Sequence, residues 1–170
     1  VPADMHVFRE LAKKTSLALV EDACEAIGGK FHGRHLGGWG DVGAFSFDQG
    51  KMIATGEGGM VATNDDTIAK YAREYHDHGH ENNPDFPRGR DTKTIPGFNY
   101  RMTEMQAAVG KAQLAKLDAM LAANDDRYLV LEQQLQGHIE FRKQPEGSRS
   151  TNDAFIFFEP NTAVRDEMVQ

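Results

Sequence analysis

A chain of 170 residues with 39% hydrophobic and 26% charged residues carries enough apolar material for a packed interior and an ordinary polar surface, which excludes a disordered or fibrous protein. The formal net charge of -7 argues against a phosphate-backbone binder, whose basic surface must displace counterions, so nucleic acid is not an expected partner. No stretch reaches the roughly 20 consecutive apolar residues of a membrane helix, no basic segment runs into an apolar one at the N-terminus, and Cys24 is the single cysteine; these features predict a protein of the reducing cytoplasm with no disulfide and no membrane partner.

In chain order, Met5, Phe8, Leu11 and Ala12 fall on one face of a short amphipathic helix from Asp4 to Lys14, with Asp4 as its N-cap. Leu17 to Asp22 reads as a buried parallel strand that ends in two carboxylates, at the sheet edge where open α/β sheets bind ligands. Gly28 to Gly43 holds seven glycines among sixteen residues, which suits tight turns or a hairpin. Strands are expected at Val42–Phe47 and Gly59–Thr63, and Asn64-Asp-Asp starts a helix reaching about Tyr75. Strands and helices alternate, so the class is α/β. His76 to Gly97 is polar, contains Pro84, Pro87 and Pro96, and reads as one long functional loop. Thr103-Glu-Met-Gln106 forms a capping box. Met105, Val109, Ala112, Leu117 and Met120 continue from it as one long helix, whose stripe serves core or subunit interface. After Gly137 the pattern turns to short β-like segments, notably Ala154–Phe158.

Chemistry concentrates where strands end. Asp22 and Glu25 follow the first strand, Ser46 lies in the second, and Lys51 comes shortly after, flanked by Gly50, Gly56, Gly58 and Gly59. Each has an ordinary reading taken singly: a cap, a local hydrogen bond, a solvated charge. Glycines around a lysine let backbone and ligand approach closely. A nucleophilic lysine must lose its proton, and pyridoxal phosphate (PLP) chemistry also needs a carboxylate at the pyridine nitrogen, which Asp22 can supply.

The ordered set Val20-Glu-Asp-Ala-Cys-Glu-Ala26, Gly33-Arg34, Gly40–Phe47, Lys51, Thr55–Gly59, His78-Gly79 and Gly97–Ala108 resembles the PLP-dependent sugar aminotransferases of the DegT/StrS type, from Asp4 to about Leu117. The resemblance implies an aspartate-aminotransferase-like fold: a large α/β domain with a mostly parallel sheet and a smaller carboxyl-terminal domain. It implies that Lys51 forms the Schiff base and shuttles the proton, that Asp22 pairs with the pyridine nitrogen, and that Ser46 binds the phosphate. Glu25 would stand beside the ring hydroxyl, where a carboxylate repels a phenolate unless they share a proton. Asn99 would reach the cofactor phosphate of a partner subunit, which makes the enzyme a homodimer with a shared active site. A lysine rather than a histidine at position 51 favours transamination over dehydration.

The implied reaction moves an amino group, typically from glutamate, to a keto or aldehyde sugar for surface polysaccharide. His76 to Pro84 with Gly97 to Met102 resembles the branch that makes 8-amino-3,8-dideoxy-octulosonate for lipopolysaccharide. Against the family plan, residues 1–137 form the central part of the PLP-binding large domain and 138–170 the beginning of the small one. The phosphate-binding turn and the ring-stacking aromatic are then expected upstream, in a chain about twice as long, which replaces the single domain that length alone suggests.

Two rival readings remain at this level: a non-catalytic PLP-family regulator or binding module, and a metal-stabilised loop at His76-Asp-His-Gly-His80, whose spacing matches no standard zinc site. Arg34, Arg88, Arg90 and Arg101 are candidate anion holders. Trp39 and Tyr100 are candidate sugar-stacking or packing aromatics, with packing the favoured role, and Cys24 is expected to be a small buried hydrophobe.

Overall fold

The computed structural model describes residues 1–87 and 89–168, so Arg88 lies outside the described residues. In chain order the first elements are α1 (Met5–Thr15), β1 (Val20–Asp22), β2 (Lys30–Phe31), β3 (Arg34–His35), β4 (Val42–Ser46) and β5 (Gly59–Ala62). They are followed by α2 (Asp66–His76), α3 (Glu104–Leu114), α4 (Leu117–Leu135), β6 (Glu140–Phe141), β7 (Ser148–Arg149), β8 (Phe157–Phe158) and α5 (Thr162–Met168). The class is α/β, as the alternation predicts.

Local chemistry accounts for the element starts. Asp4 caps α1 by accepting from the backbone N–H of His6 and Val7, and Lys13 and Lys14 lie in the last turn, where cations suit the helix dipole. Asp65 does the same for α2, accepting from Thr67 and Ile68. At α3 the Thr103–Gln106 capping box is present with both of its reciprocal bonds. The β2–β3 hairpin turns on His32 and Gly33, whose φ of 44° and 78° are the two positive values that a two-residue hairpin turn of this hand requires.

β1 runs parallel to β4, with Val20 opposite Val42 and Asp22 opposite Ala44, and β5 pairs antiparallel on the other side of β4. The central sheet is therefore partly parallel. The expected strand from Leu17 is shorter than predicted: Leu19 donates its N–H to the Asp41 side chain at 2.8 Å, and its carbonyl accepts from Asp41 N at 2.8 Å. Loop bonding thus replaces the ladder until Val20. A second sheet joins β3, β2 and β7, so the segment after Gly137 contributes a strand beside the hairpin.

The core gathers Met5, Phe31 and Trp39, with Leu19 and Leu36 against them. Trp39 meets Phe31 and His6 edge-on at ring-centroid separations of 5.5 and 5.0 Å. Packing is thus its role. Leu121 is buried, and its Cδ1 would lie 2.7 Å from any Cβ placed at Gly28, so α4 seats directly on that turn.

The predicted single long helix is two. At Ala115 and Lys116 the chain tightens, with Lys116 N bonding Gln113 O at 2.9 Å, and α4 restarts at Leu117. The apolar stripe of α3 is not core within this chain, because Met105 is 79% and Val109 47% exposed. Met60 and Val61 on β5 are exposed as well.

The long loop from Asp77 to Tyr100 is a strap tied back to α2. Glu74 is buried, takes the Thr94 hydroxyl on its carboxylate at 2.7 Å and the Gly79 N–H on its backbone carbonyl at 2.8 Å. Phe98 N and Tyr100 N reach the carbonyls of Tyr75 and His76. The two arms cross at Gly79, φ 79°, where a Cβ would fall 1.8 Å from the Ile95 carbonyl oxygen. Inside the strap, Asp91 accepts from Asn82 N and Gly89 N and pairs with His80 Nδ1 at 2.8 Å. Burial raises the Asp91 carboxyl, but these hydrogen bonds outweigh it and hold the group below the usual aspartate range. A depressed carboxyl stabilises above its unfolded pKa and loses that contribution as pH falls through the folded value. Asp91→Asn is therefore expected to raise protease cleavage within 81–93 several-fold at neutral pH, where the charge is present, with the difference from wild type fading in acid; equal cleavage at neutral pH would contradict the strap's dependence on Asp91.

Candidate functional site

The parallel pairing of β1 and β4 brings Asp22 and Ser46 to neighbouring carboxyl ends of the central sheet. Beyond Ser46 the chain makes a turn organised by Asp48, whose carboxylate accepts Gly50 N at 2.9 Å while its carbonyl accepts Lys51 N at 3.0 Å. Phe47 and Ile53, both buried, anchor the two sides of this turn. Lys51 is thereby held on a short, pinned segment.

From there the Lys51 ammonium reaches Glu25, and the two form a hydrogen-bonded ion pair. The lysine side chain is 20% exposed and the glutamate 70%. Hydrogen bonding to Glu25 holds the Lys51 ammonium above the usual lysine range, with the charges of Glu25 and Asp48 adding to it. Asp22 accepts the Cys24 N–H at 3.1 Å. Bonding from the Cys24 thiol and from this N–H lowers the Asp22 carboxyl, and the Lys51 charge acts in the same direction. Asp22 is thus a firm carboxylate. Cys24 is half-buried rather than buried, and its thiol is pushed up by the bond to Asp22.

A cleft of about 890 Å³ opens over these groups, lined by Asp22, Cys24, Glu25, Lys51, Thr151 and Asp153 among others. Ser46 and Asn99 are not part of that lining. Ser46 Oγ accepts Asp48 N at 3.3 Å, and Asn99 is exposed, bridged through its backbone to Asp77. The structure thus gathers Asp22, Glu25 and Lys51, sets Ser46 at the adjacent strand end, and leaves Asn99 on the strap. The set of an ionised carboxylate, a primary amine and a strand-end hydroxyl suits a ligand that carries a carbonyl and a cationic ring nitrogen.

Several candidates have other duties. Arg34 lies 5.2 Å over the Trp39 ring and bonds the Gly38 carbonyl, which commits it to the hairpin. Arg101 pairs with the buried Asp77 at 2.5 Å. Arg90 is exposed, and Tyr100, although it stacks on Phe98 at 5.5 Å, is itself 65% exposed and so not packed into a core as expected. Of the three histidines, His76 Nδ1 at the end of α2 meets Arg73 O and His80 Nδ1 pairs with Asp91, while the His78 ring stands edge-on to His80 at 6.4 Å.

Two features have no counterpart in the sequence reading. Glu21 is buried and accepts three backbone N–H groups, from Gly37 at 2.8 Å, Trp39 at 2.5 Å and Gly40 at 2.6 Å. Its signal was available: strand alternation turns Glu21 away from Asp22, towards a glycine-rich run with unpaired donors. The opposite wall of the cleft, with Thr151 buried and bonded to Asp153 at 2.6 Å, comes from a segment with no motif to mark it.

Comparison with known proteins is consistent along the chain. Residues 1–170 match the DegT/DnrJ/EryC1/StrS aminotransferase family. GDP-perosamine synthase of Caulobacter vibrioides is 44% identical over 122 residues, covering 72% of this chain and 32% of that protein. A dTDP-3-amino-3,4,6-trideoxy-alpha-D-glucose transaminase of Streptomyces venezuelae is 40% identical over 119 residues, covering 69% of this chain and 30% of its own. Among solved structures, the aminotransferase TlmJ of Streptoalloteichus hindustanus superimposes with a TM-score of 0.88 at 27% identity, covering 98% of this chain and 45% of that one. The chain thus spans about a third of the length of these curated relatives.

Proposed function

Because the chain belongs to the DegT/DnrJ/EryC1/StrS aminotransferase family, we propose that the full-length protein is a PLP-dependent aminotransferase that carries an amino group from an amino acid, glutamate by preference, to a keto or aldehyde sugar. The observation that carries this reading is the convergence of Lys51, Glu25 and Asp22 on one cleft at the carboxyl edge of the sheet. When bound, PLP supplies a protonated ring that withdraws electrons from the bond being broken. Asp22, whose carboxyl Cys24 lowers, would hold the proton on the ring nitrogen. Lys51 would hold the cofactor and move the proton at the reacting carbon, the hydroxyl of Ser46 would serve the phosphate, and Glu25 would stand beside the ring hydroxyl.

The assembly follows the same reading. Asn99 is exposed on the strap, available to a partner's cofactor phosphate, and the exposed stripe of Met105 and Val109 suits burial against a second copy. We read residues 1–137 as the central part of the large domain and 138–170 as the beginning of the small one. A lone Cys24 suits a reducing cytoplasm, and no described helix is long and apolar enough to cross a membrane. The relatives' names pair a nucleoside diphosphate with an amino sugar, which favours a nucleotide-linked keto-sugar over an eight-carbon sugar acid as acceptor.

The test is a half-reaction. PLP-loaded full-length protein mixed with glutamate alone is expected to yield pyridoxamine phosphate and 2-oxoglutarate in equal amounts. A protein that holds PLP but forms neither product is a regulator or binding module. Nucleotide keto-sugar and eight-carbon keto-sugar acid, offered next to the pyridoxamine form, identify the acceptor by which of them restores PLP.

A further inference from the structure

We propose that Glu25 is the proton acceptor for Lys51, taking the ammonium proton whenever that nitrogen is required as a free amine and returning it afterwards. The inference rests on the reading of Lys51 as the reactive amine. An ammonium has no lone pair, so Lys51 can neither bond to a carbonyl carbon nor lift a proton from carbon until one of its own protons has left.

Among the described residues, Glu25 is the group that already accepts a hydrogen bond from the Lys51 ammonium. Lys51 is largely enclosed at 20% exposure, whereas Glu25 is 70% exposed and already accepts a hydrogen bond from Lys51 Nζ. Transfer breaks one Nζ–H bond and forms one Oε1–H bond, turning ammonium and carboxylate into amine and neutral acid with no net change of charge. The other groups facing Lys51 are already engaged. Asp22 is bonded by Cys24, and Asp48 accepts Gly50 N at 2.9 Å. The Cys24 thiol, pushed up beside Asp22, stays protonated and cannot accept.

At rest the same pair favours the ammonium, because Glu25 holds it above the usual lysine range. Two readouts on Glu25→Gln in the full-length protein therefore move in opposite directions. In cofactor-free protein, labelling of Lys51 by formaldehyde with cyanoborohydride, followed by peptide mass spectrometry across pH, is expected to shift to lower pH because the ammonium has lost its partner. In PLP-loaded protein, the glutamate half-reaction is expected to slow by about 10²-fold, the low end for a positioned acid–base group. Glu25→His or added formate should restore part of that rate.

A merely structural role would not free the lysine and slow the reaction together. An unchanged labelling profile, an unchanged rate, or a slowed rate that neither histidine nor formate improves overturns the proposal. If wild-type protein shows no half-reaction, the aminotransferase reading fails, and the labelling profile still decides whether Glu25 governs the Lys51 proton.

Discussion

Lys51→Ala in the full-length protein is expected to remove the visible absorbance of covalently held PLP and to lower the glutamate half-reaction by about 10⁴-fold, the upper end of what a positioned acid–base group contributes. The size follows from the absence of a substitute. Among the described residues, Lys51 is the lysine that lines the cleft over Asp22 and Glu25. Lys51→Arg separates charge from chemistry, because a guanidinium keeps the positive charge and the pairing with Glu25 yet does not deprotonate. Arginine is expected to fail as completely as alanine in turnover while leaving the fold intact by circular dichroism. Retained absorbance together with retained turnover in either variant would remove Lys51 from the centre of the mechanism.

A loss of another kind is expected at Glu21→Ala. The Glu21 carboxylate satisfies the N–H groups of Gly37, Trp39 and Gly40 from a position only 8% exposed. Each orphaned buried donor costs about 1–3 kcal/mol, and water can reach some of them in the variant, so a net destabilisation of about 3 kcal/mol is expected. Against a total stability of about 5–15 kcal/mol for a folded domain this is a large share. Urea unfolding should show a lower midpoint with an unchanged slope, and Glu21→Gln, which keeps one acceptor oxygen, should fall between. A midpoint equal to wild type would mean that the Gly37–Gly40 turn holds itself.

Much of the scaffold was legible because short-range chemistry specifies it. Asp4, Asp65 and the Thr103–Gln106 box announce their helices, and the caps are where the side-chain oxygens and free N–H groups predict. Failures came where a distant partner decides. Leu19 looks like strand, but Asp41 takes its backbone. The break at Ala115–Lys116 carries neither glycine nor proline, so an unbroken apolar stripe conceals it. At the site, the residue types pointed to Lys51 and Asp22, and strand polarity to their shared edge. The direct contact of Lys51 with Glu25 was not legible, since it joins positions 26 residues apart through two separate turns.

One step of backbone in β1 joins the glycine turn to the cleft. Glu21 and Asp22 are consecutive, and on a pleated strand consecutive side chains face opposite ways. One carboxylate knits the glycine turn together, while its neighbour lines the cleft. A slip of β1 by a single position against β4 would exchange their directions. Slipped one way, Ala23 would replace Asp22 on the cleft and the shorter Asp22 would stand under the glycine turn; slipped the other way, Val20 would replace Glu21 under that turn and Glu21 would face the cleft, so a mis-threaded chain loses a carboxylate from one place and misfits the other. Quality control that clears unstable proteins would therefore also remove the molecules assembled with the wrong chemistry.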